Sequence, residues 1–595
     1  MIKERIEKLR KLMKDHQIQA YLIPSTDPHQ NEYLPAMWER RRWLSGFTGS
    51  AGDVVITLNK AGLWTDSRYF LQADEQLRGS GIELFKSGQP KVPTVQEWLI
   101  EEMNAGDTVG LDPRLFSYND SQKIRAQLNT WKINLKLIEQ NLVDGIWEDR
   151  PEFPPAPVEV HPEKYAGESL ESKLKRLREY MADEECKVHV LTTLDTIAWL
   201  FNIRGADIDY NPVAISYAIV AEGDAYLFLN SGKVTDKLRK HLEPLVEILD
   251  YDEFGDALAK ISGEKIRVWL DPLTASLWVA DALKGECKVF WKPSPVTHFK
   301  SIKNETEISG LKNAHLRDGV AMVKFLSWLE KAVKKGGVTE ISAAEKLESF
   351  RAKDDLFRGP SFATIAGYRE HGAIVHYSAS RESDIELKPE GIFLIDSGGQ
   401  YPDGTTDITR TVCLGKPTDE QKDRFTRVLK GHIQLAMTRF PQNTAGNQLD
   451  TIARKPLWDI GLNYGHGTGH GVGFYLNVHE GPQAISYYRG IGVELKPGMI
   501  ISNEPGFYKT GEYGIRLENL VLVQEDEEFS NEESKFYRFK SLTLCPIDLK
   551  LLKKELLSEE EVRFLDDYHA TVRDSLSPLL DNESVTWLSQ ATRPI

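Results

Sequence analysis

A chain of 595 residues exceeds what one hydrophobic core usually serves, and at roughly 150 residues per domain it divides into three or four units. Its composition, 41% hydrophobic and 27% charged, is that of a globular protein able to bury large cores. The net charge of −15 excludes the basic face that nucleic acid or an anionic membrane would require.

Met1–Gln17 is charged throughout, which does not fit a secretory leader, and Ile2, Ile6, Leu9 and Met13 recur at helical spacing. An amphipathic helix is expected there. No run of about 18 apolar residues follows, so no membrane-spanning helix is expected. Ala20–Pro24 reads as a strand, then comes WLSGFTG (43–49), then the strand pair DVVITL and AGLWTD around Asn59-Lys60. The same order returns with a helix over Lys173–Met181, a strand from Val188, WLFNIRG (199–205) and two strands about Glu222-Gly223-Asp224. Two related α/β domains are predicted, the first carrying an insertion between Asp27 and Trp43.

Prolines 151, 154, 155, 157 and 162 exclude continuous helix or central strand and mark an extended linker between these domains. Pro293 and Pro295 mark a second boundary, ahead of a long helical pattern from Glu305 to Lys334. On that helix His315 lies near the face of Ile308, Leu311, Val320 and Phe325, which suits a packed or exposed rather than a catalytic histidine. The expected domains are 1–150, 151–303 and 304–595. Close to the C-terminus LTLCPIDLKLL (542–552) reads as a strand, the segment 558–576 as a helix, and the residues after Asp581 as a poorly patterned tail. Four cysteines, at 186, 287, 413 and 545, form no CxxC pair, which argues against a disulfide framework or a cysteine zinc cluster and for a reducing, cytoplasmic compartment.

The chemistry is concentrated in the third unit, around YGHGTGHGVG (464–473). Five glycines in ten residues leave His466 and His470 without a helix to stand on. Neither a phosphate loop, which needs GxxxxGK[ST], nor an HExxH zinc helix fits the stretch. Upstream, Asp396 ends the apolar run GIFLI, and Asp407 opens a second strand-like run beyond a Gly/Pro/Asp turn. A hairpin would bring the two carboxylates together, and an aspartate ending so apolar a strand is costly to bury without a cation. Downstream, Glu504 closes GMIISNEPG and Glu518 lies in YGIRLENLVLV, where a surface ion pair with Arg516 is the plainest reading. Four carboxylates and one imidazole are too anionic for a single cation and suit two divalent ions sharing bridging carboxylates.

The ordered set DSGGQYPDGTTDITR, HGTGHGVG, NVHEGP, ISNEPGFY and YGIRLEN resembles the signature of the pita-bread metallopeptidases. It is most similar to their Xaa-Pro aminopeptidase branch, aminopeptidase P, in its long three-domain cytosolic form; SGFTGSAG, LWTDSRYFLQA and KNETE extend the likeness over most of the chain. The resemblance implies an α/β (α+β) chain with two related N-terminal domains of creatinase type followed by a pita-bread catalytic domain. Asp396, Asp407, His470, Glu504 and Glu518 match the family's metal ligands, with Asp407 and Glu518 bridging two ions, most often Mn2+, although Co2+ or Zn2+ would suit the same ligands. His376, His466 and His479 match the histidines lining its active site, and Arg68 a substrate-contacting arginine. Tyr508 and Arg516 would stand just behind the ligands and assist substrate binding. The implied reaction is attack of metal-activated hydroxide on the X-Pro bond of peptides with proline second, with Glu504 relaying the proton and Phe507 and Tyr508 available as pocket walls. A homodimer is implied, with no nucleic-acid or membrane partner. Prolidase, which cleaves X-Pro dipeptides, is the nearest alternative. A non-catalytic pita-bread binding module would have lost the ligands that this chain keeps.

Overall fold

Ile6, Leu9 and Met13 are buried along helix α1 (Ile2–Asp15), the face that their spacing marks out. The protein is described from a computed structural model covering residues 1–487 and 492–595. Its chain divides into two compact units, Met1–His161 with Glu168–Thr297 and Pro162–Gly167 with His298–Ile595.

The first unit holds two six-stranded sheets. One contains β1 (Ala20–Ile23), β2 (Asp53–Thr57), β3 (Ala61–Thr65), β4 (Glu83–Lys86), β5 (Thr108–Leu111) and β6 (Asn134–Leu137), in the order β4-β3-β2-β1-β5-β6. The other contains β7 (Val188–Leu191), β8 (Ser216–Ala221), β9 (Ala225–Leu229), β10 (Glu247–Leu249), β11 (Arg267–Leu270) and β12 (Lys288–Trp291), in the order β10-β9-β8-β7-β11-β12. Strand for strand the order is identical, and so is each parallel or antiparallel pairing. The repeat expected from the sequence is therefore a repeat of topology. Alternation along the strands builds two cores: Tyr21, Ile23, Val54 and Ile56 pack with α1, whereas Ala20, Leu22 and Val55 pack with Trp98 and Leu99. WLSGFTG and WLFNIRG each begin inside a short helix, Arg40–Ser45 and Leu194–Leu200.

The proline-rich segment stays irregular over 151–158, where four prolines fall. One helical turn, Glu163–Ala166, follows Pro162 within it and belongs to the second unit, where Tyr165 packs beside Ile308 and Leu311.

The second unit is led by α2 (Glu305–Lys335), started by a reciprocal capping box between Asn304 and Glu307. His315 is buried on this helix with Nδ1 bonded to the Leu311 carbonyl at 2.8 Å, the packed one of the two non-catalytic places, packed or exposed, that the sequence leaves for it. A three-stranded sheet joins β13 (Ile365–Tyr368), β14 (Ile392–Ser397) and β15 (Ile408–Cys413). A six-stranded sheet runs β16-β23-β22-β19-β17-β18, from β16 (Arg439–Pro441), β17 (Gly469–Gly471), β18 (Glu480–Ile485), β19 (Ile500–Asn503), β22 (Asn519–Glu525) and β23 (Phe536–Ser541). Between them β20 (Gly506–Lys509) and β21 (Tyr513–Arg516) form a hairpin. Helices α3 (Asp419–Met437) and α4 (Gly446–Trp458) pack against each other and cover the apolar faces.

Two sequence expectations at the C-terminus are corrected. Residues 542–548 do not form a strand: β23 ends at Ser541. Side chains replace a neighbouring strand as partners, because the Cys545 and Ile547 amides donate to the Tyr568 hydroxyl and His569 Nε2, and Arg410 donates to the Cys545 and Pro546 carbonyls. The residues after Asp581 are a helix, Asn582–Ala591, which Asp581 caps by accepting from the Ser584 amide and which buries Leu588. Its apolar face is narrow, which is why its pattern is weak.

Candidate metal centre

β14 and β15 pair antiparallel with Asp396 opposite Thr409 and Ser397 opposite Ile408, so Asp407, one residue before β15, comes to the same end of the sheet. That is the hairpin juxtaposition expected from the sequence. His470 is the middle residue of β17, and the glycines beside it have a steric cause. A Cβ on Gly469 would stand 1.9 Å from the Ser502 carbonyl oxygen, and one on Gly471 would stand 2.3 Å from both Gln483 Nε2 and the Glu480 carbonyl. Only glycine lets the neighbouring strands close around this imidazole. Glu504 directly follows β19, and Glu518 lies between β21 and β22.

These elements converge. Asp407, His470 and Glu518 offer ligand atoms that all lie within 4.8 Å of one another. His470 Nε2 is 3.5 Å from Asp407 Oδ2 and 3.6 Å from Glu504 Oε1. Asp396 turns Oδ2 toward Arg516 Nη2 at 2.6 Å. Its other oxygen, together with Asp407 Oδ1 and Glu518 Oε1, is buried with no hydrogen-bond partner among the described residues. Buried carboxylate oxygens are costly in that condition, and three converging at one place fit cation ligands rather than a structural cluster. Burial, and then the neighbouring Asp407 carboxylate, push Glu518 well above the usual carboxylate range. In Asp396 burial also raises the pKa, against the pull of Arg516. Burial opposes charge on His470, yet the bond to Asp407 and the Glu504 charge push it up to about 9. Oxygen donors with one imidazole suit hard or borderline divalent ions.

Behind the carboxylates runs a buried polar chain. Arg516 donates to Asp396, to the Tyr508 hydroxyl at 2.6 Å and to Thr409 Oγ1 at 3.1 Å. Tyr508 is also 2.8 Å from His466 Nε2, and Thr409 donates to Glu518 Oε2 at 2.8 Å. The surface pair between Glu518 and Arg516 considered from the sequence is thus not formed: both side chains are buried, and Arg516 serves Asp396. The ring of His479 sits edge-on to His470, centroids 4.3 Å apart. His376 is half-buried beside Tyr377, which packs with Ile365, Leu394 and Tyr508.

Phe507 is not a pocket wall. It points away from its neighbour Tyr508, into the core with Val428, Tyr513 and Ile515. Arg68 lies in the first unit, where Nε and Nη2 grip Asp66 at 2.8 and 2.7 Å and Glu32 lies 4.0 Å away. Sequence reasoning missed Thr409, whose position between Asp407 and Arg410 in DITR was the available signal. It also missed Asp450, Arg454 and Thr468, which hold the histidine loop.

The model of metallopeptidase family M24 matches residues 309–525, and its C-terminal region matches 535–595. Creatinase/prolidase N-terminal domain models match 5–140 and 149–307. A probable Xaa-Pro aminopeptidase P of Laccaria bicolor is 44% identical over 602 residues, covering 100% of this chain and 93% of that protein. Aminopeptidase P2 of Arabidopsis thaliana is 41% identical over 633 residues, covering 100% and 89%. The X-prolyl aminopeptidase of Caenorhabditis elegans, described as a cytosolic enzyme with a di-nuclear active site, is 39% identical and superposes with a TM-score of 0.96, each chain covered at 100%. Xaa-Pro dipeptidase from Bacillus anthracis, at 23% identity, a TM-score of 0.51 and 64% of this chain, shares the fold. With the ligand geometry and the full-length likeness in agreement, the chain belongs to the Xaa-Pro aminopeptidase P branch of metallopeptidase family M24.

Proposed function

We propose that this protein is a metal-dependent aminopeptidase that removes the N-terminal residue from peptides with proline in second position. The observation that carries the reading is the convergence of buried, unpaired oxygens of Asp396, Asp407 and Glu518 beside His470 and Glu504. Those five residues would hold two divalent ions. Ions bound there supply Lewis acidity toward the scissile carbonyl and lower the pKa of water near neutral pH.

The chain's own groups divide the remaining work. Glu504, beside His470, takes and relays the proton of the attacking water. His466 is held through Tyr508 to Arg516 and Asp396, which fixes its ring for contact with the incoming peptide. His479 and His376 donate toward the substrate and the developing oxyanion. A proline amide has no N–H, so an enzyme that binds this position through an amide hydrogen bond would fail, whereas a site relying on histidines and ring contacts need not.

The domain limits 1–150, 151–303 and 304–595 are supported by the repeated sheets and by the matched ranges. We further infer Mn2+ as the metal, supported by the oxygen-rich donor set. A cytoplasmic location is supported by the cytosolic relative from Caenorhabditis elegans and by the absence, among the described residues, of a helix long and apolar enough to cross a membrane. Arg68 as a substrate contact and a homodimeric state rest on the family resemblance. The deciding experiment is hydrolysis of Arg-Pro-Pro against Gly-Pro by chelated protein, with and without added Mn2+. Metal-restored cleavage of the tripeptide is expected; cleavage of the dipeptide alone would favour a prolidase, and no cleavage of either would remove the reading.

A further inference from the structure

The loop carrying His466 is rich in glycine and has little conformational preference of its own. Something outside it must set its shape. From α4, two side chains reach it, Asp450 and Arg454, one helical turn apart and both fully buried. Arg454 Nε donates to Asp450 Oδ2 at 2.6 Å, and Nη2 reaches Oδ1 at 3.3 Å. The rest of the guanidinium faces the loop: Nη1 donates to the Tyr464 carbonyl at 2.7 Å and Asn463 Oδ1 at 3.0 Å, and Nη2 donates to the His466 carbonyl at 2.6 Å. The Tyr464 ring lies against the guanidinium, 3.9 Å from centroid to carbon. Asp450 Oδ1 in turn accepts from Thr468 Oγ1 at 2.6 Å.

We infer that the buried Asp450–Arg454 pair is a positioning device for His466 and Glu504. The inference deepens the proposed aminopeptidase reading and rests on it. One cation fixes the backbone on both sides of Gly465, and its carboxylate partner fixes Thr468. The Thr468 carbonyl then accepts the Glu504 amide at 2.8 Å, while His466 Nε2 meets Tyr508. A single rigid fork thus sets a predicted substrate-side histidine and a predicted ligand together. A buried ion pair adds little net stability compared with well-packed apolar side chains, so what this one supplies is geometry. Lysine would keep the charge but not the planar set of donors that reaches five acceptor atoms at once.

The test is Arg454→Lys, alone and combined with His466→Ala, assayed on an X-Pro-Pro tripeptide with kcat and KM separated, bound metal measured and thermal unfolding recorded. Arg454→Lys is expected to lower the Tm, because buried acceptors lose their donor, and to lower kcat/KM by about 10–100-fold when measured on folded protein at saturating Mn2+, beyond what any loss of bound metal accounts for. That loss should shrink sharply when His466 is already alanine, because the pair then has less to position. Additive losses in the double variant would overturn the inference, as would loss of activity that only follows loss of metal or fold. Thr468→Val is the milder variant should Arg454→Lys not fold; it removes the bond to Asp450 and the contact with the Tyr464 hydroxyl, and normal kcat/KM in it would count against the device. Parent protein inactive on every X-Pro-Pro peptide would instead remove the aminopeptidase reading.

Discussion

The Thr409 hydroxyl donates to Glu518 Oε2 at 2.8 Å while its oxygen accepts from Arg516 Nε at 3.1 Å. One oxygen of Glu518 is thereby pinned, and the other is turned into the cluster, where it is buried without a partner among the described residues. Thr409→Val keeps the volume and removes both bonds. Affinity for Mn2+, titrated into chelated protein, is expected to fall about 10–100-fold and to recover in Thr409→Ser. Unchanged affinity in the valine variant would show that Glu518 needs no such orientation.

Glu504, proposed both as a metal ligand and as the proton carrier, stands 3.6 Å from His470 and donates its amide to the Thr468 carbonyl. Glu504→Gln keeps the shape and removes the basic oxygen. With Mn2+ in excess, kcat should drop by about 10²–10⁴-fold while the circular dichroism spectrum stays that of the parent. A variant with near-normal kcat would take the proton relay away from this residue.

Much of this was legible in the sequence. The repeated order of helix, strand and hairpin announced two α/β domains because each strand is a short apolar run, buried on both faces and bounded by turns. The convergence of acids was legible because acids at the ends of apolar strands have few structural uses. What stayed hidden depends on partners far away in the chain. Arg516 read as the surface partner of Glu518, yet it is buried and bonds Asp396, 120 positions upstream. Residues 542–548 read as a strand because their side chains are apolar, but beyond Leu542, whose amide donates to the Leu520 carbonyl, the backbone meets side chains of Arg410, Tyr568 and His569. Phe507 and Tyr508 face opposite ways, which alternation along β20 allows and composition does not reveal.

Arg410 ties the C-terminal segment to the site. Its buried guanidinium donates to the carbonyls of Thr409, Glu518, Cys545 and Pro546, to Asn519 Oδ1 and to the Tyr568 hydroxyl. Arg410→Met leaves several buried acceptors unsatisfied, at about 1–3 kcal/mol for each group that water cannot reach. A large loss of stability in urea is expected, together with weaker Mn2+ binding, because the Glu518 carbonyl loses its anchor. Stability within about 1 kcal/mol of the parent would mean that packing alone holds the segment.

The acid sensitivity below about pH 4 should trace in part to α2. Asp318 is buried there, takes Arg351 Nε at 2.7 Å and Nη2 at 3.0 Å, and accepts the Tyr401 hydroxyl at 3.0 Å. Burial works to raise its pKa, but the Arg351 charge and these bonds outweigh it, and the net direction is down. A carboxylate depressed in the folded state contributes stability that is fully present above its unfolded value, about 3.9, and is lost as pH falls through the folded value. Buried histidines such as His189 and His432, which burial holds well below the usual histidine range, should already lower the urea midpoint as pH falls below about 6.5, and the Asp318 share is lost in addition from about pH 4 downward. Asp318→Asn alone would leave Arg351 buried without its counter-charge, so the informative variant is Asp318→Asn with Arg351→Met. Its acid limb should be shallower than the parent's; parallel limbs would assign the acid sensitivity to other carboxylates.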